Sequence, residues 1–277
     1  MANILIVGCG AVGGQLAHNL AQQGHTVTGI KRSPSVTAGS SVRMFAADIS
    51  QASTLAKIDD NFDRLVFAVS ADGRTEASYR SVYQAGLDNV LAKFPSIPWL
   101  FVSSTSVYGQ NQGEWVDEHS PAEPTQRNSQ LIRTAEKKVT ATNQNNIVVR
   151  FSGIYGASRR HLLDNAAQTP VIQQTPAYYT NRIHQDDCVG VLAFLLRQSL
   201  AGTKLAECYL ASDDDPAPLW EVMVWLAEQQ AYAPPIAKPV EIPAVQNKRC
   251  ANQRLKALGY QFIYPSFREG YGTLIAR

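Results

Sequence analysis

The feature that most constrains the fold is a glycine-rich segment close to the first residue of the chain, "ILIVGCGAVGGQLA". An apolar run typical of a buried strand leads directly into Gly8-x-Gly10-x-x-Gly13, and a helical pattern follows. Gly8 permits a tight turn, Gly10 lets the backbone approach a pyrophosphate, and Gly13 lets helix and strand pack closely. The order of strand, turn and helix therefore predicts a dinucleotide site; the alternative is a purely structural glycine turn.

The start of the predicted helix is assigned to the same nucleotide site. Ala11 and Val12 would lie in its first turn, where free N–H groups and a partial positive charge attract phosphate. Ser70, which ends the strand-like run "DRLVFAVS", is also assigned to the site. These residues complete the predicted cofactor contacts near the glycine-rich turn.

The end of the second strand indicates which nucleotide is bound. An acidic residue there would bind the ribose 2′-hydroxyl of NAD, but the chain has Lys31, Arg32 and Ser33. Lys and Arg can pair with a 2′-phosphate, and a charge-assisted hydrogen bond contributes roughly 1.5–3 kcal/mol. We therefore expect NADP as cofactor, with NAD as second choice. Alternatively, Lys31 and Arg32 are simply solvated charges of a loop.

Asp48 ends the third strand-like segment, in "AADIS". Its carboxylate could contact the adenine edge of the nucleotide. It could equally cap the following helix, either directly or through Ser50. The sequence leaves both readings open.

Strand-like apolar runs alternate with helix-like segments through the first two-thirds of the chain. This pattern predicts an α/β fold, namely a Rossmann-type, doubly wound parallel sheet covered by helices on both faces, with a smaller C-terminal substrate lobe. We expect the nucleotide-binding domain to comprise residues 1–156 and about 184–200. Residues of about 157–183 and 201–277, which are richer in proline and loops, would form the smaller lobe.

Charge and cysteine usage exclude several classes of partner. The net charge of +2 is too small to suggest nucleic acid or a membrane surface. The four cysteines are widely spaced and form no CxxC pair, so we expect no metal site and a reducing compartment. The segment "MANILIVGCG" has no basic region before its apolar run, which is unlike a signal peptide. The chain is therefore expected to be cytoplasmic and to act on a small molecule.

Several motifs in order resemble the extended short-chain dehydrogenase/reductase family of NAD-dependent epimerases and dehydratases. They are the glycine-rich turn, "AADIS", "FVSSTSVYG", "VVRFSGIYG", "IHQDD" and "LKALGYQFIYPSFREG", and they cover essentially the whole chain. In that family the hydroxyl residue three positions before the Val of "VYG" is catalytic. The resemblance therefore implies that Ser104 is a catalytic residue.

The chain departs from this family where the catalytic tyrosine and lysine are expected. Counting in fours from Pro124, the family has Tyr, Lys and Glu, whereas this chain has Asn128, Ile132 and Glu136. In the family the tyrosine exchanges a proton with the substrate while hydride moves to the nicotinamide, and the lysine lowers the pKa of that tyrosine. An amide exchanges no protons near neutral pH, and losing a general acid or base typically costs about 10²–10⁴ in rate. Asn128 can still donate a hydrogen bond.

Other residues are candidates to replace the missing acid. Matching Gly86 and Asn89 to the family pattern puts Tyr83 where the family has an active-site Asn, so Tyr83 is assigned to the catalytic set. Tyr108, Tyr155 and His161 are further candidates, but aromatic packing in the core or in the smaller lobe is the simpler reading for each of these residues and for Tyr83. The simpler roles expected for the remaining polar residues are to fix a loop for His184, to cap the next helix for Asp186 and Asp187, and to pack or pair for Glu136.

Two adjacent arginines indicate the charge of the substrate. Arg159, Arg160 and His161 follow the strand "IVVRF", and in the epimerase-like family basic residues in this region can meet the diphosphate of a nucleotide-sugar. Arg suits this task because its planar fork binds phosphate oxygens at two points. A solvated surface loop is the alternative.

The predicted function is that of an NAD(P)-binding oxidoreductase of epimerase/dehydratase type, with NADP preferred and the catalytic Tyr and Lys replaced. The substrate would be small and nucleotide-sugar-like. The alternative is an NADP-binding sensor or regulatory protein with little turnover. In such folds two helices of each subunit often form a dimer interface, and here they would be "SYRSVYQAGLDNVLAKF" and "SQLIRTAEKKVTATNQ". The second of these helices is polar over much of its surface, so a monomer and a homodimer are both open.

Overall fold

The structure is a computed structural model that describes residues 1–34, 41–238 and 246–275. Its main element is a seven-stranded parallel sheet with flanking helices, which confirms the predicted Rossmann-type α/β fold. The strands of this sheet are β1 (Asn3–Val7), β2 (Thr26–Lys31), β3 (Val42–Ala46), β4 (Arg64–Phe67), β5 (Trp99–Ser104), β6 (Ile147–Phe151) and β7 (Cys208–Ala211).

The strands are ordered β7-β6-β5-β4-β1-β2-β3 across the sheet. The chain therefore winds outward from β1 in one direction through β2 and β3 and then in the other direction from β4 onward. In open parallel sheets, ligands bind beyond the carboxyl ends of the strands where the winding reverses. The reversal between β1 and β4 thus marks the expected ligand crevice.

Ten helices are found in the described ranges: α1 (Ala11–Gln22), α2 (Ala52–Leu55), α3 (Glu76–Arg80), α4 (Leu87–Lys93), α5 (Arg127–Thr142), α6 (His161–Ala166), α7 (Gln185–Leu200), α8 (Leu219–Gln229), α9 (Gln253–Ala257) and α10 (Phe267–Ile275). A π-helical turn, Ser81–Gly86, joins α3 to α4, and a 3₁₀ turn, Thr105–Val107, follows β5. Such π turns are rare and occur often at functional sites.

Short strands pair outside the main sheet. The parallel pairs join Gly153–Tyr155 to Arg182–His184, Val171–Gln173 to Ile236–Lys238, and Glu114–Val116 to Lys248–Cys250, and the antiparallel pair joins Tyr179–Thr180 to Ala217–Pro218.

The chain forms two compact units. The first comprises Met1–Val107, Pro124–Arg150 and Val189–Tyr209, and the second comprises Tyr108–Glu123, Phe151–Cys188 and Leu210–Arg277. The second unit includes residues 108–123, whose strand Glu114–Val116 pairs with Lys248–Cys250. That the second unit binds substrate stays a prediction.

The first unit is held together by the apolar strands that the sequence predicted. Every residue from Ile4 to Val7 and from Leu65 to Phe67 is fully buried. On α1, Leu16 and Leu20 are buried one turn apart, as expected of a helix that lies on a sheet. The core of the second unit is formed largely by α6, α8 and α10, which contribute Leu163, Val222, Leu226 and Phe267.

Candidate functional site

A cleft of about 300 Å³ lies at the carboxyl ends of β1 to β4, within the first unit. Its volume is at the lower end of the range usual for small-molecule sites. It is lined by Gly8, Cys9, Gly10, Ile30, Lys31, Arg32, Ala47, Asp48, Ile49, Ala68, Val69, Ser70, Asp72, Ser78, Ser81 and Val82. Six of the residues predicted from the sequence to bind the cofactor are in this set.

The glycine-rich turn has the geometry that the sequence predicted. Gly8 has a φ of +99°, and a Cβ there would lie 2.7 Å from backbone atoms of Ala68 and Val69. A Cβ at Gly13 would lie 2.1 Å from the carbonyl oxygen of Gly8. Side chains at these two positions would push the turn away from β4 and α1 away from the turn, so both glycines are required by packing.

Gly10 is different, because the protein itself leaves room for a side chain there. It precedes α1 in an extended conformation, and apart from its own neighbours in the chain no atom of the described residues lies within 4 Å of a Cβ placed at this position. The space belongs to the cleft, beside the N–H groups that begin α1. A pyrophosphate fits this combination of free volume and helix N-terminus.

Basic residues line the side of the cleft that follows β2. Lys31 and Arg32 both line it, and Nη2 of Arg32 lies 2.5 Å from Oδ2 of Asp72. Ser33, which was assigned to the cofactor site, is exposed and is not among the lining residues. Ala11 and Val12 begin α1 but do not line the cleft either.

Asp48 lines the cleft while its carboxylate organises the loop after β3. Oδ1 of Asp48 accepts hydrogen bonds from the backbone N–H of Ser50 over 2.9 Å and from the Ser50 hydroxyl over 2.8 Å. The side chain does not cap α2, whose first position is preceded by Gln51 without a side-chain hydrogen bond. The helix-cap reading is therefore replaced by a turn, and contact with adenine stays a prediction.

The two residues that match the family pattern in the segment that follows α3 also support the cleft. Asn89 donates a hydrogen bond from Nδ2 to the carbonyl oxygen of Ile49 over 2.8 Å. Gly86 packs so closely on Ile49 that a Cβ would lie 2.6 Å from its side chain. Together they fix Ile49, which forms part of the cleft wall.

Cys9 is the thiol of the cleft. Its side chain is buried, and this burial raises the pKa of the thiol to about 11, against smaller opposing effects from the Ile30 backbone and Lys31. A thiol with a raised pKa holds its proton near neutral pH and is a poor nucleophile. Cys9 therefore contributes shape to the cleft rather than reactivity.

The sequence analysis did not assign the other lining residues to the cleft, namely Cys9, Ile30, Ala47, Ile49, Ala68, Val69, Asp72, Ser78, Ser81 and Val82. Most of them follow a parallel strand or lie on α3 and the π-helical turn. Their position just beyond the end of β3 or β4 was a usable signal for Ile49 and Asp72, because ligands gather at that edge. Whether Ser78 and Ser81 face the cleft depends on the winding of α3 and of the π-helical turn, so the sequence around them gave no signal.

The three predicted catalytic residues lie on elements that pack together. Ser104 ends β5, Tyr83 lies in the π-helical turn, and Asn128 lies in the first turn of α5. Helix α5 packs against β5, the 3₁₀ turn, α3 and the π-helical turn. Within the described residues, none of the three side chains hydrogen-bonds to another. Oγ of Ser104 accepts from the backbone N–H of Ser106 over 3.1 Å.

Asn128 and Ile132, at the positions of the family's Tyr and Lys, have different surroundings. Nδ2 of Asn128 donates a hydrogen bond to the carbonyl oxygen of Arg74 over 2.8 Å. Ile132, one turn later, is only 4% exposed and belongs to the core. The face of α5 that would carry a Tyr–Lys pair therefore holds a loop-binding amide and a buried aliphatic side chain.

Tyr83 is buried among aromatic rings. Its ring lies 5.6 Å from that of Tyr79 and 6.4 Å from that of Phe101, edge-on to the latter. Burial first, and the neighbouring Tyr79 second, raise the pKa of Tyr83 above its ordinary value. Such a hydroxyl is a poorer acid than a free tyrosine, and Tyr83 does not line the cleft. A catalytic role for Tyr83 stays a prediction.

Glu136 is fully buried and pairs with other side chains, as expected. Arg150 donates to both of its carboxylate oxygens, and Ser103 donates from Oγ to Oε1 over 2.5 Å. Nη1 of Arg133 donates to Oε2 over 2.7 Å. This cluster ties α5 to β5 and β6 directly beside Ser104.

In the second unit, the predicted anion-binding residues are exposed. Arg159 precedes α6, and its backbone N–H donates to the carbonyl oxygen of Gly156 over 2.9 Å. Nη1 of Arg160 donates to the carbonyl oxygen of Leu274 over 3.4 Å, and its Nε lies 4.0 Å from Oδ1 of Asp164. His161 is the first residue of α6. Arg160 is thus partly engaged by α6 and α10.

Two aromatic candidates have structural contacts. The hydroxyl of Tyr108 donates to the carbonyl oxygen of Asp117 over 2.7 Å. The ring of Tyr155 stacks on Tyr271 at 4.2 Å and meets His184 edge-on at 5.2 Å. The ring centroid of His184 also lies 4.2 Å from that of Tyr264, in keeping with a role in fixing a loop.

The expected helix cap at Asp187 is wrong. Asp187 is fully buried, and its carboxylate accepts from the Tyr260 hydroxyl and from the backbone N–H groups of Ile263 and Tyr264, over 2.8–3.0 Å. The capping prediction failed because the carboxylate of Asp187 accepts its hydrogen bonds from the loop of residues 260–264, which is distant in the sequence, and not from the first turn of α7. Asp186 remains in that first turn, where acidic residues are favourable.

The second unit also contains a group of buried polar atoms. Those without a hydrogen-bond partner among the described residues include Ser152 Oγ, Tyr155 Oη, Arg182 Nη1 and Asp213 Oδ2. Burial raises the pKa of Asp213 well above its usual range, although the positive charge of Arg182 opposes the effect. Ordered water is the usual partner of such groups.

Within the described ranges, no group of three or more His, Cys, Asp or Glu side chains is arranged to hold a metal ion. No helix in this part of the chain is long and apolar enough to cross a membrane.

The chain is similar to known proteins in both sequence and fold. The model of the NAD-dependent epimerase/dehydratase family matches residues 4–199. A Methylobacillus flagellatus structure assigned as an NAD-dependent epimerase/dehydratase is 37% identical, has a TM-score of 0.85, and is matched over 99% of this chain and 98% of its own. A conserved Silicibacter pomeroyi protein of unknown function is 27% identical, with a TM-score of 0.75 and coverage of 100% and 99%.

A more distant match extends the fold comparison. The UDP-glucose 4-epimerase of Thermus thermophilus, solved with NAD, is 17% identical, has a TM-score of 0.78, and is matched over 99% of this chain and 98% of its own. At this identity the likeness concerns the fold alone. No curated protein matches the sequence.

Proposed function

Because this chain belongs to the NAD-dependent epimerase/dehydratase family, we propose that it is an oxidoreductase of epimerase/dehydratase type that binds NADP in preference to NAD. The observation that carries nucleotide binding is the open space at Gly10, which lies beside the start of α1 in a cleft lined by Lys31 and Arg32. The bound cofactor would supply hydride transfer at its nicotinamide. The chain itself would bind the pyrophosphate at Gly8 and Gly10 and the adenosine half along β2 and β3.

The preference for NADP rests on charge. Lys31 and Arg32 follow β2, where a ribose 2′-substituent is recognised in this fold. A 2′-phosphate would gain charge-assisted hydrogen bonds from these side chains, whereas a 2′-hydroxyl would gain less. The UDP-glucose 4-epimerase of Thermus thermophilus, which has a similar fold, was solved with NAD, so NAD is the second choice.

Titration calorimetry with NADPH and NADH tests this proposal. We expect NADPH to bind at least about tenfold tighter, since one charge-assisted hydrogen bond contributes roughly 1.5–3 kcal/mol. The Lys31→Asp, Arg32→Ala double variant should lose this preference while retaining NADH binding. Equal affinities in the wild-type protein would contradict the NADP preference, and binding of neither nucleotide would contradict the proposal as a whole.

The substrate is proposed to be small, anionic and nucleotide-sugar-like. The support is the exposed pair Arg159 and Arg160 with the adjacent His161, in the region where the family can bind diphosphate. Arg159 is the stronger candidate, because Arg160 donates to the carbonyl oxygen of Leu274. Ser104 and Asn128 would offer hydrogen bonds to the reacting part of the substrate, and Tyr83 would contribute from the π-helical turn.

A second function is favoured by the surroundings of α5. Asn128 cannot exchange a proton and is bound to Arg74, and Ile132 is buried, so the protein would be an NADP-binding sensor with little turnover. The two functions differ in how much NADPH is consumed in the presence of a carbonyl substrate. Repeated turnover supports the enzyme, and conversion of less than one equivalent supports the sensor. A monomer or a homodimer is compatible with either function.

A further inference from the structure

The ion pair between Arg32 and Asp72 spans the carboxyl end of β1. Arg32 follows β2 and Asp72 lies in the loop after β4, and these two strands are the neighbours of β1 on either side. The pair is close, with 2.5 Å between Nη2 and Oδ2. Both residues line the same cleft as Gly8 and Gly10. The pair therefore lies where the adenosine half of a dinucleotide would enter.

We propose that Asp72 is a specificity-determining residue, which holds Arg32 when the bound adenosine ribose has a free 2′-hydroxyl and releases it to a 2′-phosphate. This inference rests on the proposed nucleotide binding. It adds a residue that opposes NADP, where Lys31 and Arg32 favour it. The preference of the site would then be set by a competition between a protein carboxylate and a ligand phosphate for one guanidinium group.

The exposure of the pair makes such an exchange feasible. The side chains of Arg32 and Asp72 are 61% and 68% exposed, and ion pairs between exposed side chains are weak because water and salt screen them. A phosphate has more charge than a carboxylate, and the fork of Arg binds phosphate oxygens at two points. The phosphate is therefore expected to win the competition, at an affinity that Asp72 reduces.

The other carboxylate of the cleft has a different role. Asp48 is held by the two hydrogen bonds from Ser50, in a turn that does not involve the basic residues. Asp72 is the carboxylate that contacts a cation of the cleft. An effect on discrimination at the 2′-position is thus expected at Asp72 and not at Asp48.

The test is calorimetry on the Asp72→Asn variant with NADPH, NADH, adenosine 2′,5′-bisphosphate and 5′-AMP. We expect the affinities for the two 2′-phosphorylated ligands to rise about two- to fivefold, the range that an exposed ion pair can supply, while those for NADH and 5′-AMP stay unchanged. Asp72→Glu should retain the wild-type ratio. In an Arg32→Ala background, Asp72→Asn should bring a clearly smaller gain.

Asp88→Asn is the matched control. Asp88 is an exposed carboxylate of the same unit that pairs with Lys138 at 2.5 Å, and it does not line the cleft. Removing its charge should leave all four affinities unchanged. An equal rise in Asp88→Asn would show a general charge effect and would overturn the inference.

Other outcomes separate this inference from the proposed function. If the wild-type protein binds NADPH and NADH but Asp72→Asn leaves their ratio unchanged, Asp72 has no part in specificity while nucleotide binding stands. If the full gain persists in the Arg32→Ala background, the competition for Arg32 is refuted. If neither nucleotide binds the wild-type protein, both proposals are overturned.

Discussion

Arg150 donates two hydrogen bonds to Glu136, from Nε to Oε1 over 2.8 Å and from Nη2 to Oε2 over 2.7 Å, and both side chains are buried. Removing one member of a buried ion pair leaves the other charge without compensation, which typically costs about 3–5 kcal/mol. We expect Glu136→Gln to lower the free energy of unfolding in urea by about that amount. Arg133→Gln, at a partner that is 30% exposed, should cost clearly less. A loss below that of the control would contradict this role of Glu136.

Replacement of glycines in the turn should separate nucleotide binding from folding. Gly10→Ala adds a methyl group in open space, so the variant should fold normally but should lose NADPH affinity by about tenfold or more, through crowding of the phosphate contact. Gly13→Ala should unfold more easily, because its Cβ would lie 2.1 Å from the carbonyl oxygen of Gly8. Gly14→Ala is the control, since its Cβ would make an ordinary 3.5 Å contact with Cys9. Calorimetry and thermal unfolding measure the two effects; unchanged NADPH affinity in Gly10→Ala would exclude a phosphate at that position.

Restoring the family's Tyr and Lys should destabilise the protein. Asn128→Tyr removes the hydrogen bond to Arg74, at a cost of about 0.5–1.5 kcal/mol. Ile132→Lys would place an ammonium group where the present side chain is 4% exposed, which should cost several kcal/mol unless the lysine finds a partner. Urea denaturation of the two single variants and the double variant measures this, with Ile132→Leu as a size-matched control. A stable double variant that gains turnover would contradict this assignment of the helix face.

The wild-type protein is expected to lack ordinary Tyr–Lys dehydrogenase activity. If it oxidises simple alcohols or sugars at a turnover near the enzyme median of about 10 s⁻¹, Asn128 is not in the place of an essential acid. Initial rates of NADPH formation over a panel of alcohols would show this.

Asp213 should make the protein less stable as the pH rises. Its pKa is raised in the folded state by burial, while an unfolded Asp titrates near about 3.9. Above that pH the unfolded chain releases a proton that the folded chain retains, so stability is lost with rising pH until the folded pKa is passed.

Asp213→Asn should remove this loss and should unfold at a higher temperature than wild type at pH 7, with little difference at a pH of about 3.5, below the unfolded pKa. The control is Asp164→Asn, at an exposed carboxylate of the same unit that lies 4.0 Å from Nε of Arg160. A lower melting temperature for Asp213→Asn at pH 7 would contradict the prediction.

The sequence was sufficient where the residues of a site lie in a short motif or at the ends of predicted strands. Gly8, Gly10 and Gly13 predicted the turn, and Lys31, Arg32, Asp48 and Ser70 were assigned to one cleft from the sequence alone, because the ends of parallel strands meet at one edge. The alternation of strands and helices likewise predicted the fold. Ala11, Val12 and Ser33 were included by adjacency in sequence, and adjacency does not determine which side of a turn faces a cleft.

The sequence was insufficient where a contact depends on residues far apart in the chain. Asp72 meets Arg32 only because β4 and β2 flank β1, and Asp187 was read as a helix cap although its carboxylate serves residues 260–264. The burial of Ile132 could not be read from helix periodicity alone, because α5 packs on several elements at once. The catalytic roles of Ser104, Asn128 and Tyr83 stay predictions.

The helical segment that runs from α3 through the π-helical turn Ser81–Gly86 to α4 is sensitive to changes in length. A deletion of one residue that the π-helical turn did not absorb would rotate α4 by about 100° relative to α3, because each residue of an α-helix turns the chain by that angle. Gly86 would then leave its close contact with Ile49, and Asn89 would lose the carbonyl that it binds. An insertion or deletion here would thus disturb the wall of the nucleotide cleft, even though no residue of that wall had been substituted.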